Sequence, residues 1–553
     1  MSAERPGRAR SAIREAASLA PLAPRALGAM ARSRVLWPVR PDRFARMLGA
    51  PLRHGAGAAA LGAATAARWP DQPAIVDERG ELTYLELDRR GRRLADALRD
   101  ECGITTGGRL ALMCRNHRGF LEALLASSRL GADLLLLNTD FAGPQLAQVL
   151  EREMPGSAIL DEEFAPAFDE AGFEGNRIIA WEEDGLPETT VDAMVAAHQA
   201  PSTRGPSTRT QGRLVILTSG TTGTPKGAPR SLPLRSLLGP MATLLTRVPL
   251  RARERILIGP PFFHGFGLSY LGLGMFLGAT MVVRRRFDAE ATLRAIDEHR
   301  VTTLIAVPVM LQRILELPDD VRHRYDSSSL RVVISAAAPL SIEVAAKVTE
   351  AFGDLVYDIY GTTETGFAAI ATPEDLRAAP GTVGRPPYGA TVRILDEKGA
   401  SLPAGRAGRI FVGGGMVFEG YSGGGSRDMV AGLMSTGDLG HFDSQGRLFI
   451  DGREDDMIVS GGENVFPGEV EEALLRHPEI ADVAVLGVAD EQFGQRLKAY
   501  VVAKKDAHPT EKDLKEYVRR RLARFKVPRE VVFTDGIPRN STGKVLRRRL
   551  DDQ

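Results

Sequence analysis

The chain has only two cysteines in 553 residues, Cys102 and Cys114, and neither stands in a CxxC or metal-type spacing. That excludes a disulfide framework and a cysteine-rich zinc module, and a reduced, cytoplasmic setting is expected. Net charge is missing too: 71 Lys+Arg face 70 Asp+Glu, so no overall field points to nucleic acid. No secretory leader is expected, because no uninterrupted apolar core follows the first basic residues. From Ile256 to Val283 there is no Asp, Glu, Lys or Arg, a length that would span a bilayer. Yet this stretch holds Pro260, Pro261, His264 and six glycines, which a lipid-exposed helix does not tolerate, and Met281-Val-Val reads as a buried strand after a turn. The chain is therefore read as soluble.

What is present is the composition of a globular protein, 43% hydrophobic and 25% charged, long enough for several cores. Residues 1–54 carry eleven Arg against Glu4, Glu15 and Asp42. Two readings of this basic N-terminal extension stay open: a segment packed on the enzyme, or a peripheral contact with a membrane surface. From about Ala74, short apolar runs alternate with amphipathic stretches. Arg109–Cys114, Ala132–Asn138, Leu214–Leu217, Thr303–Val307 and Arg331–Ser335 read as strands; Tyr84–Glu101 and Ala289–Arg300 read as helices. This predicts an α/β fold with parallel sheets covered by helices, whose ligands gather at the carboxyl ends of the strands. Residues 381–450 shift to short alternating runs between Gly and Pro and read as a β-rich subdomain. A last α+β segment restarts near 454, with helices over Pro467–Arg476 and Glu511–Arg524 and strands over Val483–Val488 and Ala499–Val502. The expected plan is an extension (1–60), a large domain (61–453) and a small mobile domain (454–553).

The strongest local signal is Leu217-Thr-Ser-Gly-Thr-Thr-Gly-Thr-Pro-Lys-Gly227. Glycines let backbone N–H groups crowd around an anion, and the hydroxyls and Lys226 add donors, which suits a polyphosphate. It is not a Walker loop, since Pro225 stands where the second glycine belongs. Further motifs follow in order: Pro261-Phe-Phe-His264, Ser335-Ala-Ala-Ala-Pro339, Tyr360-Gly-Thr-Thr-Glu364, Ser435-Thr-Gly-Asp438, Gly452-Arg-Glu-Asp-Asp456, Ser460-Gly-Gly-Glu463 and Pro538-Arg-Asn-Ser-Thr-Gly-Lys544. Together they resemble the adenylate-forming superfamily of acyl-CoA synthetases, adenylation domains and luciferases, from about Asp71 to Leu550.

The resemblance implies an acyl-CoA synthetase that uses ATP, Mg²⁺ and coenzyme A. Joining a carboxylate to the α-phosphate brings two anions together, so catalysis rests on charge neutralisation and positioning. By resemblance, Thr218, Ser219, Gly220, Thr221, Thr222, Gly223 and Lys226 cradle phosphates. Ala337, Ala338 and Pro339 run along the adenine, and Tyr360 packs on it, followed by Gly361 and Thr362. Thr363 matches the α-phosphate contact and Glu364 the magnesium ligand, a hard carboxylate for a hard cation. Asp438 matches the acceptor of both ribose hydroxyls, apt for an acceptor-only group, with Arg453 as a second ribose contact. Lys544 resembles the lysine bridging carboxylate and α-phosphate; the adjoining Arg547–Arg549 read as a solvated or ADP-ribose-facing surface. His264, Gly265 and Gly267 fall at the acyl pocket, where Gly272 and Gly274 also suggest room for a bulky acid. Asp455 matches a hinge about which the small domain turns, moving Ser460, Gly461, Gly462 and Glu463 towards the thiol. The sequence departs from the family pattern at the short Gly-rich residues 422–434 and at the alanines of the adenine segment. A synthetase loading a carrier protein or an amine is the alternative. The acid itself has no readable motif.

Overall fold

A computed structural model describes residues 23–36, 38–55, 57–183, 189–199, 212–218, 226–230, 234–362, 364–414, 428–460, 463–490, 494–540, 543–546 and 548–551. The chain forms two compact units. The first comprises Met1–Ala306, Glu316–Ile334 and Phe418–Ser426; the second comprises Val307–Leu315, Ser335–Val417 and Arg427–Gln553.

The first unit is the helix-covered parallel architecture expected from the alternating pattern. One sheet has seven strands in the order Thr189–Thr190, Asn176–Trp181, Ser157–Asp161, Arg109–Met113, Asp133–Leu136, Leu214–Thr218 and Lys226–Arg230. All neighbours are parallel except the last pair. Its central strands are apolar on both faces, as a doubly covered sheet requires, and Met113, Leu137, Leu146, Phe168 and Ile179 meet in one core cluster. In the second sheet the strands Pro73–Asp77, Thr280–Val283, Arg255–Ile258 and Thr303–Ala306 lie side by side, all parallel, with Gly80–Thr83 antiparallel at the edge. The uncharged stretch is thus a strand, the helix Gly265–Leu277 and a buried strand. Among the described residues no helix is long and apolar enough to cross a membrane. The helix Tyr84–Cys102 starts with a capping box, Glu86 N–H donating to the Thr83 hydroxyl (3.2 Å) and Thr83 N–H to the Glu86 carboxylate (2.8 Å).

The second unit holds the antiparallel hairpin Val356–Thr362/Gly366–Ala371 and a β-rich sheet ordered Thr382–Gly384, Leu448–Arg453, Leu433–Phe442, Gly408–Gly413 and Thr391–Leu395, with Met429–Val430 beside Leu433–Phe442. Inward residues Val392, Ile394, Ile410, Val412 and Leu448 form its core with Ala368 and Ala369. After the single 3-10 turn Glu454–Asp456 comes a five-stranded sheet: Glu463–Val465, Ile458–Ser460, Gly494–Ala503 and Ile480–Asp490, with Glu530–Phe533 parallel to Gly494–Ala503. Helices Pro467–Leu475 and Glu511–Arg519 bury Val470, Leu474, Leu514 and Val518 against it. The helix Glu511–Arg519 is shorter than the expected Glu511–Arg524. Arg521 and Leu522 both donate to Val518 O, turning the chain so that Leu522 packs on the core.

Candidate functional site

The second unit places Tyr360, Gly361, Thr362 and Glu364 on one hairpin and Asp438 and Arg453 on an adjoining pair of strands. Tyr360 and Asp438 meet: the tyrosyl hydroxyl donates to Asp438 Oδ2 at 2.5 Å, although 78 residues separate them. Asp438 is buried and faces Arg453 across the antiparallel pair Leu433–Phe442/Leu448–Arg453. Its backbone N–H donates to the Thr436 hydroxyl (3.1 Å), and that hydroxyl donates to Ile410 O (3.1 Å). The carboxylate is therefore held on a fixed piece of strand. Burial, then the Asp438 charge, raises the Tyr360 hydroxyl well above its ordinary value, so it stays a donor. Glu364 is buried in the turn of the Val356–Thr362/Gly366–Ala371 hairpin. Gly361 is dictated by a close approach: a Cβ there would stand 2.1 Å from Gly366 O. Thr365 N–H donates to the Thr362 hydroxyl at 3.1 Å, closing the turn. Ala337 has φ 72°, the left-handed region, where the missing glycine of the adenine segment would sit without strain.

A residue that sequence reasoning missed lies two positions before Tyr360. Asp358 is buried, and burial pushes its carboxyl up to about 7, against pulls from the Ser335 hydroxyl and the Ile359 N–H. The alternation of strand side chains puts it on the same face as Tyr360. An acid inside an apolar strand was the available signal.

Lys544 is exposed at the end of a tight turn in the same unit. Gly543 N–H donates to Asn540 O (2.8 Å), Lys544 N–H to Asn540 Oδ1 (2.8 Å) and Asn540 N–H to Lys544 O (2.9 Å). Gly543 has φ 81°, and a Cβ there would come within 2.9 Å of the Val309 side chain. Arg539 fastens the turn to the sheet: it donates to Gly543 O (3.0 Å) and pairs with Asp482 through Nη2–Oδ1 (2.7 Å) and Nε–Oδ2 (3.3 Å). Asp482 and Arg539 carry no motif logic in common, so only the fold reveals their partnership.

In the first unit, Thr218 pairs with Lys226 across antiparallel strands. The glycine-rich residues 219–225 thus join two paired strands, unlike a Walker loop, which opens a helix. Ser219, Gly220, Thr221, Thr222, Gly223, Thr363, Gly461 and Gly462 lie outside the described residues, as do the side chains of Thr218, Lys226, Asp455, Ser460 and Glu463. His264 precedes the helix Gly265–Leu277 and contacts the Phe263 ring at 4.6 Å. Burial pulls its imidazole down to about 4, so it is neutral near pH 7, and Nε2 is buried without a hydrogen-bond partner among the described residues. Its loop is held by buried Asn116, whose amide donates to Pro260 O (2.9 Å) and accepts from Phe262 N–H (2.8 Å). The nearby glycines divide in use. Gly265 and Gly272 face open space, but a Cβ on Gly267 would meet Pro261 O at 2.2 Å, and one on Gly274 would meet Met281 at 3.0 Å. The room expected at Gly267 and Gly274 is filled by close packing.

Cys114, His117 and Asp161 form a buried group whose ligand-type atoms lie within 4.8 Å of one another. Gly119 N–H donates to His117 Nδ1 (3.1 Å), which leaves Nε2–H to donate to Asp161 (2.7 Å). Burial, then the Asp161 charge, raises the Cys114 thiol well above its ordinary value. With both ring nitrogens engaged and the thiol protonated, the group is a structural network.

Residues 62–422 match the family described as AMP-binding enzyme, and residues 469–544 match the AMP-binding enzyme C-terminal domain. An indoleacetate–CoA ligase of Aromatoleum aromaticum is 33% identical over 490 residues, 86% of this chain and 94% of that protein. A fatty acid–[acyl-carrier-protein] ligase, ScoC, of Streptomyces coeruleorubidus is 31% identical over 509 residues, 88% of this chain and 94% of its own. The structure of o-succinylbenzoate CoA synthetase from Bacillus subtilis with its acyl-adenylate intermediate superposes with TM-score 0.76 at 28% identity, covering 89% and 98% of the two chains.

Proposed function

From the premise that the chain belongs to the AMP-binding enzymes of the adenylate-forming superfamily and is an AMP-forming acid–thiol ligase, we propose that it activates a hydrophobic carboxylic acid and passes the acyl group to coenzyme A. The observation that carries the reading is the Tyr360–Asp438 pair, with Asp438 buried, beside Arg453. Asp438 offers a fixed carboxylate to the ribose diol, and the Tyr360 ring, locked through its hydroxyl, offers a face to the adenine.

In the first half-reaction a carboxylate oxygen of the acid attacks the α-phosphorus of ATP, and the bond to the bridging oxygen of pyrophosphate breaks. Lys544 supplies the cation between the two anions, held in place by the Asn540–Gly543–Arg539 turn. Magnesium suits the site because Glu364 is a buried carboxylate in a hydrogen-bonded turn; bound there it would neutralise phosphate charge. In the second half-reaction a thiol sulfur attacks the acyl carbon, AMP leaves, and the thiol proton passes to solvent. Rotation about Asp455, withdrawing Lys544 and presenting Ser460–Glu463, would separate the halves. Neutral His264, whose Nε2 has no hydrogen-bond partner among the described residues, is suited to a polar atom of the acid near the reacting end. A second reading, delivery to a carrier protein, is favoured by the similarity to ScoC.

Incubating the full chain with ATP, Mg²⁺, CoA and a panel of carboxylic acids, and following AMP and acyl-CoA by mass spectrometry, tests this. Acid-dependent acyl-CoA that disappears in Lys544→Ala is the expected result. Acyl-AMP without acyl-CoA would replace CoA by another acceptor, and no acid-dependent AMP at all would overturn the reading.

A further inference from the structure

The described part of the N-terminal extension does not bury all of its apolar surface. Of the large hydrophobic side chains that stand exposed, five fall within it: Leu27, Leu36, Phe44, Leu48 and Leu52. Three lie on the helix Pro41–His54 at spacings of four, so successive turns stack them into one stripe about 80° wide. Phe44 is 51%, Leu48 59% and Leu52 81% exposed.

This stripe is not the face by which the helix is held. Arg43 donates to Arg68 O (3.2 Å), Ala50 is buried, and Arg129 approaches His54 Nε2 at 3.4 Å. Burial first, then the Arg129 charge, pulls His54 down to about 4, so it is neutral near pH 7 and can accept from Arg129. Upstream, Ala252 N–H donates to Ser33 O (2.7 Å) and Arg68 donates to Val35 O. Fastened at these points, the helix cannot roll to hide Phe44, Leu48 and Leu52.

Charge identifies what the stripe meets. Residues 23–54 carry seven Arg and a single acid, Asp42. Residues 40–54 hold Arg40, Arg43, Arg46 and Arg53 against Asp42, which pairs with Arg40 (3.4 Å) and Arg46 (2.9 Å), so a cationic excess remains at this helix. Two copies placed face to face would bring like charges together, whereas an anionic bilayer offers both acyl chains and opposite charge. We propose that the helix Pro41–His54 lies on anionic lipid membranes, with Phe44, Leu48 and Leu52 entering the acyl boundary and the cationic excess of residues 23–54 drawing the helix to anionic headgroups. The inference goes beyond the ligase reading and does not depend on which acceptor takes the acyl group.

The test is co-sedimentation of the full chain with vesicles of equal parts phosphatidylglycerol and phosphatidylcholine, and with phosphatidylcholine alone, at low and high salt. Expected is binding to the anionic vesicles that high salt removes, and weakening of roughly tenfold or more in F44S/L48S/L52S. R40Q/R46Q/R53Q should lose the preference for phosphatidylglycerol. Unchanged thermal melts would show that both variants fold. No sedimentation of the wild type, or equal sedimentation of F44S/L48S/L52S, would overturn the proposal. So would a wild-type dimer, seen by light scattering, that F44S/L48S/L52S converts to monomer without vesicle binding, because the stripe would then join copies of the chain.

Discussion

Arg539 should control how well Lys544 works without touching a substrate. Its guanidinium ties the Lys544 turn at Gly543 O and the strand Ile480–Asp490 at Asp482, through one bond of 3.0 Å and a forked pair of 2.7 and 3.3 Å. Arg539→Met keeps the aliphatic stem and removes all three. The pair is only partly buried, with side chains 24% and 20% exposed, so each tie counts for less than in a core. Their loss should weaken the order of the turn by about 1–3 kcal/mol. If Lys544 acts only when the turn is formed, adenylation should fall by roughly tenfold to a hundredfold, at about 1.4 kcal/mol per tenfold. Acid-dependent pyrophosphate release measures that step. If Lys544 serves adenylation alone, thioester formation from supplied acyl-AMP should change less than about threefold. In a Lys544→Ala background Arg539→Met should add nothing, since both act through one group. Full pyrophosphate release in Arg539→Met, or an independent further loss in the double variant, would refute the reasoning.

Ala337→Val should lower the melting temperature while Ala337→Gly should not, because φ 72° strains a side chain by about 1–2 kcal/mol and a β-branched one more. Asn116→Ala would strand Pro260 O and Phe262 N–H in the core; a loss of about 2–4 kcal/mol in denaturant titration is expected, with a higher KM for the acid from the displaced His264 loop. Asp358 titrates near 7 in the fold, above the ordinary carboxyl value of 3.8. Its protonated form therefore favours the fold fully below about 4, and that contribution is lost as pH rises through about 7, on the order of 4 kcal/mol in all. Denaturant midpoints measured across that range should fall less steeply with rising pH in Asp358→Asn. Asp455→Pro should spare acyl-AMP formation and cripple thioester formation; equal loss of both would remove Asp455 from the hinge role.

The legible part of the chain was the part in which neighbours in sequence do the chemistry. Hydroxyls, glycines and a lysine within residues 217–227 suggest an anion site by composition alone, and the apolar runs announce the parallel strands because both faces of such sheets are buried. Partnerships across long separations were hidden. Asn116 fastens a loop 144 residues away, and Arg539 finds Asp482 at 57. Neither residue type is rare enough to draw notice alone. Gly267 and Gly274 looked like space, yet tight packing and an open pocket both call for glycine and differ only in what stands beside it. The basic extension left two readings open; its exposed stripe became visible only once the opposite face of the helix was seen to be fastened.

The most direct test of the central claim follows an oxygen atom. With both carboxylate oxygens of an accepted acid labelled as ¹⁸O, attack on the α-phosphorus joins one labelled oxygen to AMP, and thiol attack on the acyl carbon leaves it there. The account predicts one ¹⁸O in the AMP released with acyl-CoA, in amounts that Lys544→Ala reduces. Acyl-CoA formed with unlabelled AMP, or with the label in inorganic phosphate, would contradict it.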